Sequence, residues 1–423
     1  MSTHGRRPSL ARRLTTPDAV ILGVGSMVGA GLFSAFAPAA RSAGDWLLAA
    51  LGVAAAVAFC NAASSAQLAA QYPTSGGTYV YGREQLGPWW GFVAGWGFVI
   101  GKTASCAAMA LVVAAYLVPQ PWQKPVGVAA VVALAAVNYR GITRTARLTR
   151  IIVASVLAAL VVVLVAVSVL GHEPGSGRQP AAELVTEVGV GGLLQGAAIL
   201  FFAFAGYARI ATLGEEVVDP ARTIPRAILG AFAIVVPLYA VTAVVLERAL
   251  GTGGLAFSTA PVRDAAATVP SAGWLTVLVG AAAATATLGA LLALIAGVGR
   301  TVLAMAREGD LPRPLAAVHE RYAVPHVAEA VLAVLVCVLV VLTDLRGAIG
   351  FSSFGVLTYY AVANASALTQ DPAHRRYPRV VAVVGLAGCV VLAFAVPATS
   401  LLAGLVVLVV GLLGRAVVQR RRG

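Results

Sequence analysis

The chain has 423 residues, of which 59% are hydrophobic and 11% charged, and its mean hydropathy is +0.88. Soluble globular domains carry about 25% charged residues, so this composition excludes a soluble domain. Apolar stretches of about 20 residues recur along the chain, and an α-helix needs that length to cross a bilayer.

Apolar runs separated by turn residues predict an all-α integral membrane protein with twelve transmembrane helices. A tail of residues 1–17 precedes the first run, and a tail of residues 417–423 follows the last. The predicted spans lie near residues 18–40, 46–69, 89–118, 125–139, 150–170, 190–212, 227–248, 272–303, 327–344, 347–368, 380–396 and 399–416.

The basic residues between the spans fall mostly on one side of the predicted membrane. If the N-terminus is inside, twenty-two arginines lie in inner loops and tails, against six basic residues in outer loops. Cytoplasmic loops carry an excess of Lys and Arg. We therefore predict that both termini are cytoplasmic in a plasma (inner) membrane, and that the net charge of +13 reflects this topology and no nucleic-acid partner.

The first span is interrupted by the run Gly25-Ser26-Met27-Val28-Gly29-Ala30-Gly31-Leu32-Phe33, which has three glycines within seven residues. Each glycine costs about 1 kcal/mol relative to alanine inside a helix, so the run predicts a helix that unwinds. Hydrocarbon cannot satisfy the backbone N–H and C=O groups exposed there. The sequence thus predicts a membrane transporter whose first span is broken around its substrate.

The sixth span has a matching interruption, in which Gly206 near the middle is followed by Tyr207 and Arg209. Glycine breaks at corresponding positions of two halves indicate inverted repeats with a binding site at the membrane midplane. The predicted halves are residues 18–170 and 190–368, with helices eleven and twelve (378–416) added after them.

Three motifs in this order make the chain similar to the amino acid–polyamine–organocation superfamily of transporters. The first span resembles its G-I-G-S-x-I-G-x-G-I-F pattern at Gly23–Phe33, and Tyr72–Tyr79 is similar to its Y-P-x-x-G-G-x-Y motif. The stretch from Gly206 to Pro225 resembles a third motif. The resemblance implies a leucine-transporter-type fold with a 5+5 inverted repeat, alternating access, and an amino acid or related amine as the substrate.

The resemblance also assigns roles in substrate binding. Backbone N–H groups at the start of a half-helix would bind the carboxylate, carbonyl groups at the breaks would bind the ammonium, and aromatic rings would exclude water. The residues concerned are Ser26, Met27, Gly29, Ala30, Gly31, Phe202, Ala205, Gly206 and Tyr207, with Phe201 and Phe204 beside them.

Lys102 lies about halfway along the third span. An ionisable residue in the membrane is costly and marks a functional site by default, and lysine loses its proton more readily than arginine when buried. Some proton-coupled relatives keep a lysine in span five, but here the corresponding region carries Ser155 and Val156. We expect Lys102 to act as the proton-coupling group or to hold an anionic substrate group; a constant charge paired with helix carbonyls is the alternative.

Arg209 is the second of the two ionisable residues that lie well within the predicted spans, and its expected partners are Glu215 and Glu216, with which it would form part of an inner gate. No carboxylate lies deep in a predicted span. Two cations without an acid would repel a cationic substrate, so the sequence favours a neutral or acidic amino acid.

Other mechanisms stay open at this stage. Proton coupling is favoured over sodium coupling, which would need oxygens near Gly23, Val24, Thr285 and Thr287. Exchange without an ion is a further possibility, and a channel is the alternative from another functional class. The sequence has no histidine cluster, nucleotide-binding loop or carboxylate pair at membrane depth, so we predict neither an enzyme nor a cofactor or structural metal.

Overall fold

The computed structural model is helical. It describes residues 14–73, 76–141, 146–171, 189–211, 213 and 216–420, among which no β-strand occurs. The helices are α1 (Thr16–Met27), α2 (Phe36–Ala43), α3 (Leu47–Gln71), α4 (Thr78–Leu86), α5 (Pro88–Leu117), α6 (Gln120–Tyr139), α7 (Ala146–Leu170), α8 (Val190–Phe204), α9 (Ala208–Ala211), α10 (Pro220–Phe257), α11 (Pro261–Ala266), α12 (Gly273–Arg307), α13 (His326–Leu342), α14 (Leu345–Thr369), α15 (Arg379–Ala395) and α16 (Ala398–Arg420).

A helix or a pair of helices lies at each of the twelve predicted spans, with α1 and α2 forming the first and α8 and α9 the sixth. Within the described residues, seven helical stretches are long and apolar enough to cross a membrane, and α13 and α15 are shorter apolar helices. The chain is therefore an apolar helical protein of the predicted kind. Twelve crossings and the division into inverted halves stay predictions.

Helix α5 forms the centre of the bundle. In its most apolar stretch of 18 residues, 94% is buried inside the protein, against 11% in the corresponding stretch of α16. Glycines allow α5 to approach α14 closely. A Cβ atom on Gly101 would lie 3.0 Å from the carbonyl oxygen of Ser352, and one on Gly355 would lie 2.7 Å from Cα of Gly101. Small residues let membrane helices approach closely, and here they fix the position of Lys102.

Asp310, just after α12, connects several helices at the end of the bundle predicted to be cytoplasmic. Its Oδ2 accepts hydrogen bonds from the Tyr79 hydroxyl at 2.8 Å and from Nη1 of Arg83 at 3.1 Å, both on α4. Its Oδ1 lies 2.9 Å from Nε of Arg415 on α16. Burial and the bond to Asp310 raise the pKa of the Tyr79 phenol well above its usual value. One carboxylate thus links α4, α12 and α16.

Arg415 is buried in the same cluster. Its Nη1 donates a hydrogen bond to the Pro88 carbonyl oxygen at 2.8 Å, and its guanidinium lies 4.5 Å from the ring centroid of Trp89. The side chains of Asp310 and Arg415 are 4% and 2% exposed. Water therefore does not reach either charge, and each is compensated by the other.

Replacing Asp310 with asparagine should destabilise the folded protein by about 3–5 kcal/mol, because it leaves the buried Arg415 without its anion. The matched control is Glu308→Gln, since Glu308 pairs with Arg83 at 3.3 Å but is 55% exposed. An exposed pair contributes at most about 1 kcal/mol. Thermal unfolding of the purified variants in detergent measures both effects, and equal losses for the two variants would contradict the assignment.

Candidate functional site

The first break is a turn of π-helix. Helix α1 ends at Met27, π-helical hydrogen bonding covers Val28–Leu32, and the chain bends at Ala35 before α2. The prediction that this segment unwinds is therefore wrong, because its hydrogen bonding continues as a turn of π-helix, which is wider than an α-helix. π-Turns inside α-helices are frequent at functional sites, so the position of the break still marks a candidate site.

Glycines in the π-turn let it lie against two other helices. A Cβ atom on Gly31 would lie 2.5 Å from Cα of Ala203 on α8, and one on Gly29 would lie 2.8 Å from Cβ of Ala290 on α12. Real Cβ atoms do not come that close to other atoms. The glycines that suggested an unwound helix thus allow close packing. Ala30, between them, has its backbone in the same turn.

The second break contacts the first. Helix α8 ends at Phe204, a 3-10 turn covers Ala205–Tyr207, and α9 follows. A Cβ atom on Gly206 would lie 2.4 Å from the carbonyl oxygen of Ser26 and 2.7 Å from the backbone nitrogen of Met27. The two interruptions, about 180 residues apart in the sequence, therefore touch backbone to backbone.

Side chains from distant helices satisfy the carbonyl groups at the breaks. The Tyr239 hydroxyl on α10 lies 2.7 Å from the Met27 carbonyl oxygen and 3.0 Å from that of Ala203, so it connects both breaks. Thr287 on α12 donates to the Gly29 carbonyl oxygen at 3.3 Å. Sequence reasoning missed Tyr239; the signal was a tyrosine in an apolar span, because a buried phenol usually has a hydrogen-bond partner.

Lys102 reaches the second break from the middle of α5. Its Nζ donates a hydrogen bond to the Ala205 carbonyl oxygen at 3.1 Å, and the residue is 6% exposed. Ala205 directly follows the C-terminal end of α8, where the helix dipole favours a cation. The contact is of the kind expected for a charge paired with helix carbonyls, and it places Lys102 at the predicted site.

Other predicted binding residues have partners within the bundle. Ser26 donates its hydroxyl hydrogen to the Leu22 carbonyl oxygen at 2.8 Å in its own helix. The Tyr207 ring stacks on Tyr360 of α14 at 5.0 Å between centroids, and Phe202 is buried. The structure thus brings Phe202 and Tyr207 into the core around the breaks, with Tyr207 against α14.

The predicted inner-gate residues are partly described. Arg209 Nη2 lies 3.9 Å from Oε1 of Glu216, as expected for that pair, while Glu215 falls outside the described residues. The backbone nitrogen of Leu14 donates to the Glu216 carbonyl oxygen at 3.1 Å, and that of Val218 donates to the Leu14 carbonyl oxygen at 3.0 Å. The segment before α1 is therefore attached to the loop after α9.

The candidate sodium ligands are not all brought together. Thr287 is buried and faces the π-turn, whereas Thr285 is exposed, because residues two apart lie on nearly opposite faces of a helix. Gly23 packs against Ile210, whose Cδ1 would lie 2.3 Å from an added Cβ, and Val24 is buried. The spacing of the two threonines in the sequence was enough to predict that they cannot face the same point.

Glu329 is a buried carboxylate that sequence reasoning did not single out. It lies in the first turn of α13 and is 4% exposed. Its Cγ would lie 2.9 Å from a Cβ atom on Gly299 of α12. Glu329 is thus an acidic residue that lies against α12 at Gly299, and it is not among the residues that contact the two breaks.

Comparisons with known proteins support a transport function. A family model described as amino acid permease matches residues 14–412. The chain is similar to an uncharacterized transporter of Mycobacterium tuberculosis, at 57% identity over 97% of this chain and 93% of that protein. It is also similar to the branched-chain amino acid permease of Bacillus subtilis, at 27% identity over 77% and 74%. The human cationic amino acid transporter 4 is 29% identical over 83% of this chain and 58% of its own length.

Because the two breaks are in contact, we expect Gly206→Ala to lower the stability of the folded protein. The added methyl group would clash with the backbone of Ser26, and the close packing leaves neither backbone room to shift. The matched control is Gly297→Ala in α12, because nothing lies within 4 Å of an added Cβ there. The control should be neutral or stabilising by up to about 1 kcal/mol. Thermal unfolding in detergent compares the two; equal melting temperatures would rule out the close contact.

Proposed function

The chain belongs to the amino acid permease family, and we propose that it is a secondary active transporter that moves its substrate across the membrane by alternating access. Transporters of this kind bind their substrate at discontinuous helices near the membrane midplane. The observation that carries the proposal is the contact of Gly206 with Ser26 and Met27, which joins two interrupted helices inside one apolar bundle. We further propose the plasma (inner) membrane and cytoplasmic termini from the charge bias of the loops.

In the proposed site the two breaks bind opposite ends of an amino acid. As the family resemblance implies, the N–H groups of Gly29, Ala30 and Gly31 would bind the carboxylate, which requires the π-turn to release them from its helical hydrogen bonds. Carbonyl groups at the end of α8, chiefly that of Ala205, would accept hydrogen bonds from the ammonium. Phe202 and Tyr207, both buried, would cover the substrate side chain.

A neutral or acidic amino acid suits these residues best. The residues placed at the two breaks include no acidic side chain, and Lys102 already contributes a cation. A second cation in this buried region would be repelled without an anion to pair with. One relative is named a branched-chain amino acid permease and another a cationic amino acid transporter, and the first of these names agrees with a neutral substrate.

We propose a proton as the coupling ion, with Lys102 as the group that binds and releases it. Lysine can change charge when buried, and Lys102 is both buried and in contact with a break. A sodium site would need several oxygens around one point, and the exposed position of Thr285 removes one candidate from the set.

Polar contacts at the two ends of the bundle would serve as gates. At the predicted inner end, Arg209 and Glu216 lie beside the backbone bonds of Leu14. At the opposite end, Nη2 of Arg346 on α14 donates to Oγ of Ser42 on α2 and to Oε1 of Gln195 on α8, both at 2.8 Å. These contacts connect the outer halves of the first and sixth spans, whose separation would open the site.

Uptake of labelled amino acids into proteoliposomes tests the function. We expect uptake of neutral or acidic amino acids when an inward proton gradient is imposed, and loss of gradient-driven uptake in Lys102→Met. The matched control is Lys124→Met, because Lys124 also donates to a backbone carbonyl, that of Val341, but is exposed at the start of α6.

The other outcomes separate the alternatives. Uptake that needs a sodium gradient, or only preloaded internal amino acid, would replace proton coupling by symport with sodium or by exchange. Flux that grows in proportion to concentration without saturating would indicate a channel. Absence of amino acid uptake under all of these gradients would contradict the proposed function.

A further inference from the structure

We infer that the Lys102 ammonium occupies the place of the substrate's own ammonium group, so that Lys102 and the substrate compete for the Ala205 carbonyl oxygen. The inference rests on the proposed function and deepens it, because it says which part of the substrate this position receives. It also makes Lys102 a residue that opposes the binding of amines and does not bind the carboxylate.

The geometry places the Lys102 ammonium on a carbonyl oxygen at the end of a helix. The last carbonyl groups of a helix lack partners within it and carry the negative end of its dipole. Ala205 directly follows α8, and its carbonyl oxygen lies at hydrogen-bond distance, 3.1 Å, from Nζ of Lys102. A substrate ammonium has the same charge and the same hydrogen-bond donors as this Nζ, so the acceptor fits both.

The other break carbonyls with side-chain donors are bound by neutral hydroxyl groups. Tyr239 holds those of Met27 and Ala203, and Thr287 holds that of Gly29. Tyrosine and threonine have two side-chain torsions or fewer and reach less far, whereas lysine has a flexible four-carbon stem. Ala205 is therefore the acceptor that an incoming ammonium can take over by displacing one side chain.

Lys102 forms no ion pair with any of the described residues, and its hydrogen-bond acceptor, the Ala205 carbonyl oxygen, is neutral. Cys106 lies one turn further along α5, and Tyr359 of α14 packs against Phe98, one turn before Lys102, at 5.2 Å between centroids. A thiol and a phenol carry no charge in their protonated forms. A buried ammonium without a partner is costly, so Lys102 and the substrate ammonium need the same oxygen. Their mutual repulsion prevents both from binding it at once.

The test measures binding to the purified full-length protein in detergent by isothermal titration calorimetry. The probes are L-alanine, L-leucine and L-glutamate, each with two analogues: the amine that lacks its α-carboxylate and the acid that lacks its ammonium. For leucine these are 3-methylbutan-1-amine and 4-methylpentanoate. The proteins are the wild type, Lys102→Met and the control Lys124→Met.

We expect Lys102→Met to bind the amino acid and its amine analogue roughly tenfold more tightly than the wild type, since a competing charged hydrogen bond is removed. Binding of the acid analogue should not change, and Lys124→Met should behave as the wild type. Weaker binding of the amino acid and the acid analogue in Lys102→Met would mean that Lys102 holds the carboxylate, and this or unchanged affinity would overturn the inference.

A second measurement does not depend on altering residue 102. The chain has two lysines, Lys102 and Lys124, so protein carrying Lys124→Met and labelled with 13C-lysine gives one lysine signal by NMR. The Lys102 Cε signal should shift when the amino acid or its amine analogue is added, and should stay in place with the acid analogue. A signal that does not respond to the amine would overturn the inference.

Different results would reject the competition at Ala205 and the proposed function. If amino acids bind and are transported but Lys102→Met binds them no more tightly, the proposed function stands and the competition is rejected. If no amino acid binds or is transported by any of the three proteins, the proposed function is rejected, and the inference with it.

Discussion

Every carbonyl group freed at a helix break has to be satisfied inside the protein, because the surrounding hydrocarbon offers no donor. In this chain Tyr239 serves both breaks at once, with its hydroxyl 2.7 Å from the Met27 oxygen and 3.0 Å from the Ala203 oxygen. Thr287 and Lys102 serve two further carbonyls. Helices α5, α10 and α12 are thereby held around the breaks, and the site depends on their positions.

Glycine has the same purpose at both breaks. At Gly31 and Gly206 an added Cβ would run into the backbone of Ala203 or Ser26, so these glycines allow contact between chain segments. At Gly101 and Gly355 the same property brings α5 against α14 and fixes the height of Lys102 in the bundle. Backbone flexibility is therefore less important here than backbone proximity, which explains why the first break keeps helical hydrogen bonds in a π-turn.

The two ends of the bundle are held by different chemistry. At the predicted inner end, the buried carboxylate of Asp310 binds Arg83, Tyr79 and Arg415, and its loss leaves a charge without a partner. At the opposite end, Arg346 binds a hydroxyl and an amide oxygen, which are neutral and easier to exchange for water. In the proposed cycle the outer contacts would therefore open at lower cost than the Asp310 cluster.

The sequence by itself determined the helical membrane class, the family, the position of both breaks and the mid-span position of Lys102, because apolar length, glycine spacing and an isolated charge are local signals. Only the tertiary structure decided that Gly206 meets Ser26, that Tyr239 bridges both breaks and that Lys102 contacts Ala205. Those contacts join residues far apart in the chain, so no local pattern contains them. The same limit applies to the π-turn: glycines show that a regular helix is weakened, but the donors and helices packed around the segment decide what form it takes. The opposite orientation of Thr285 and Thr287, by contrast, could be predicted from the sequence, because residues two apart lie on nearly opposite faces of a helix.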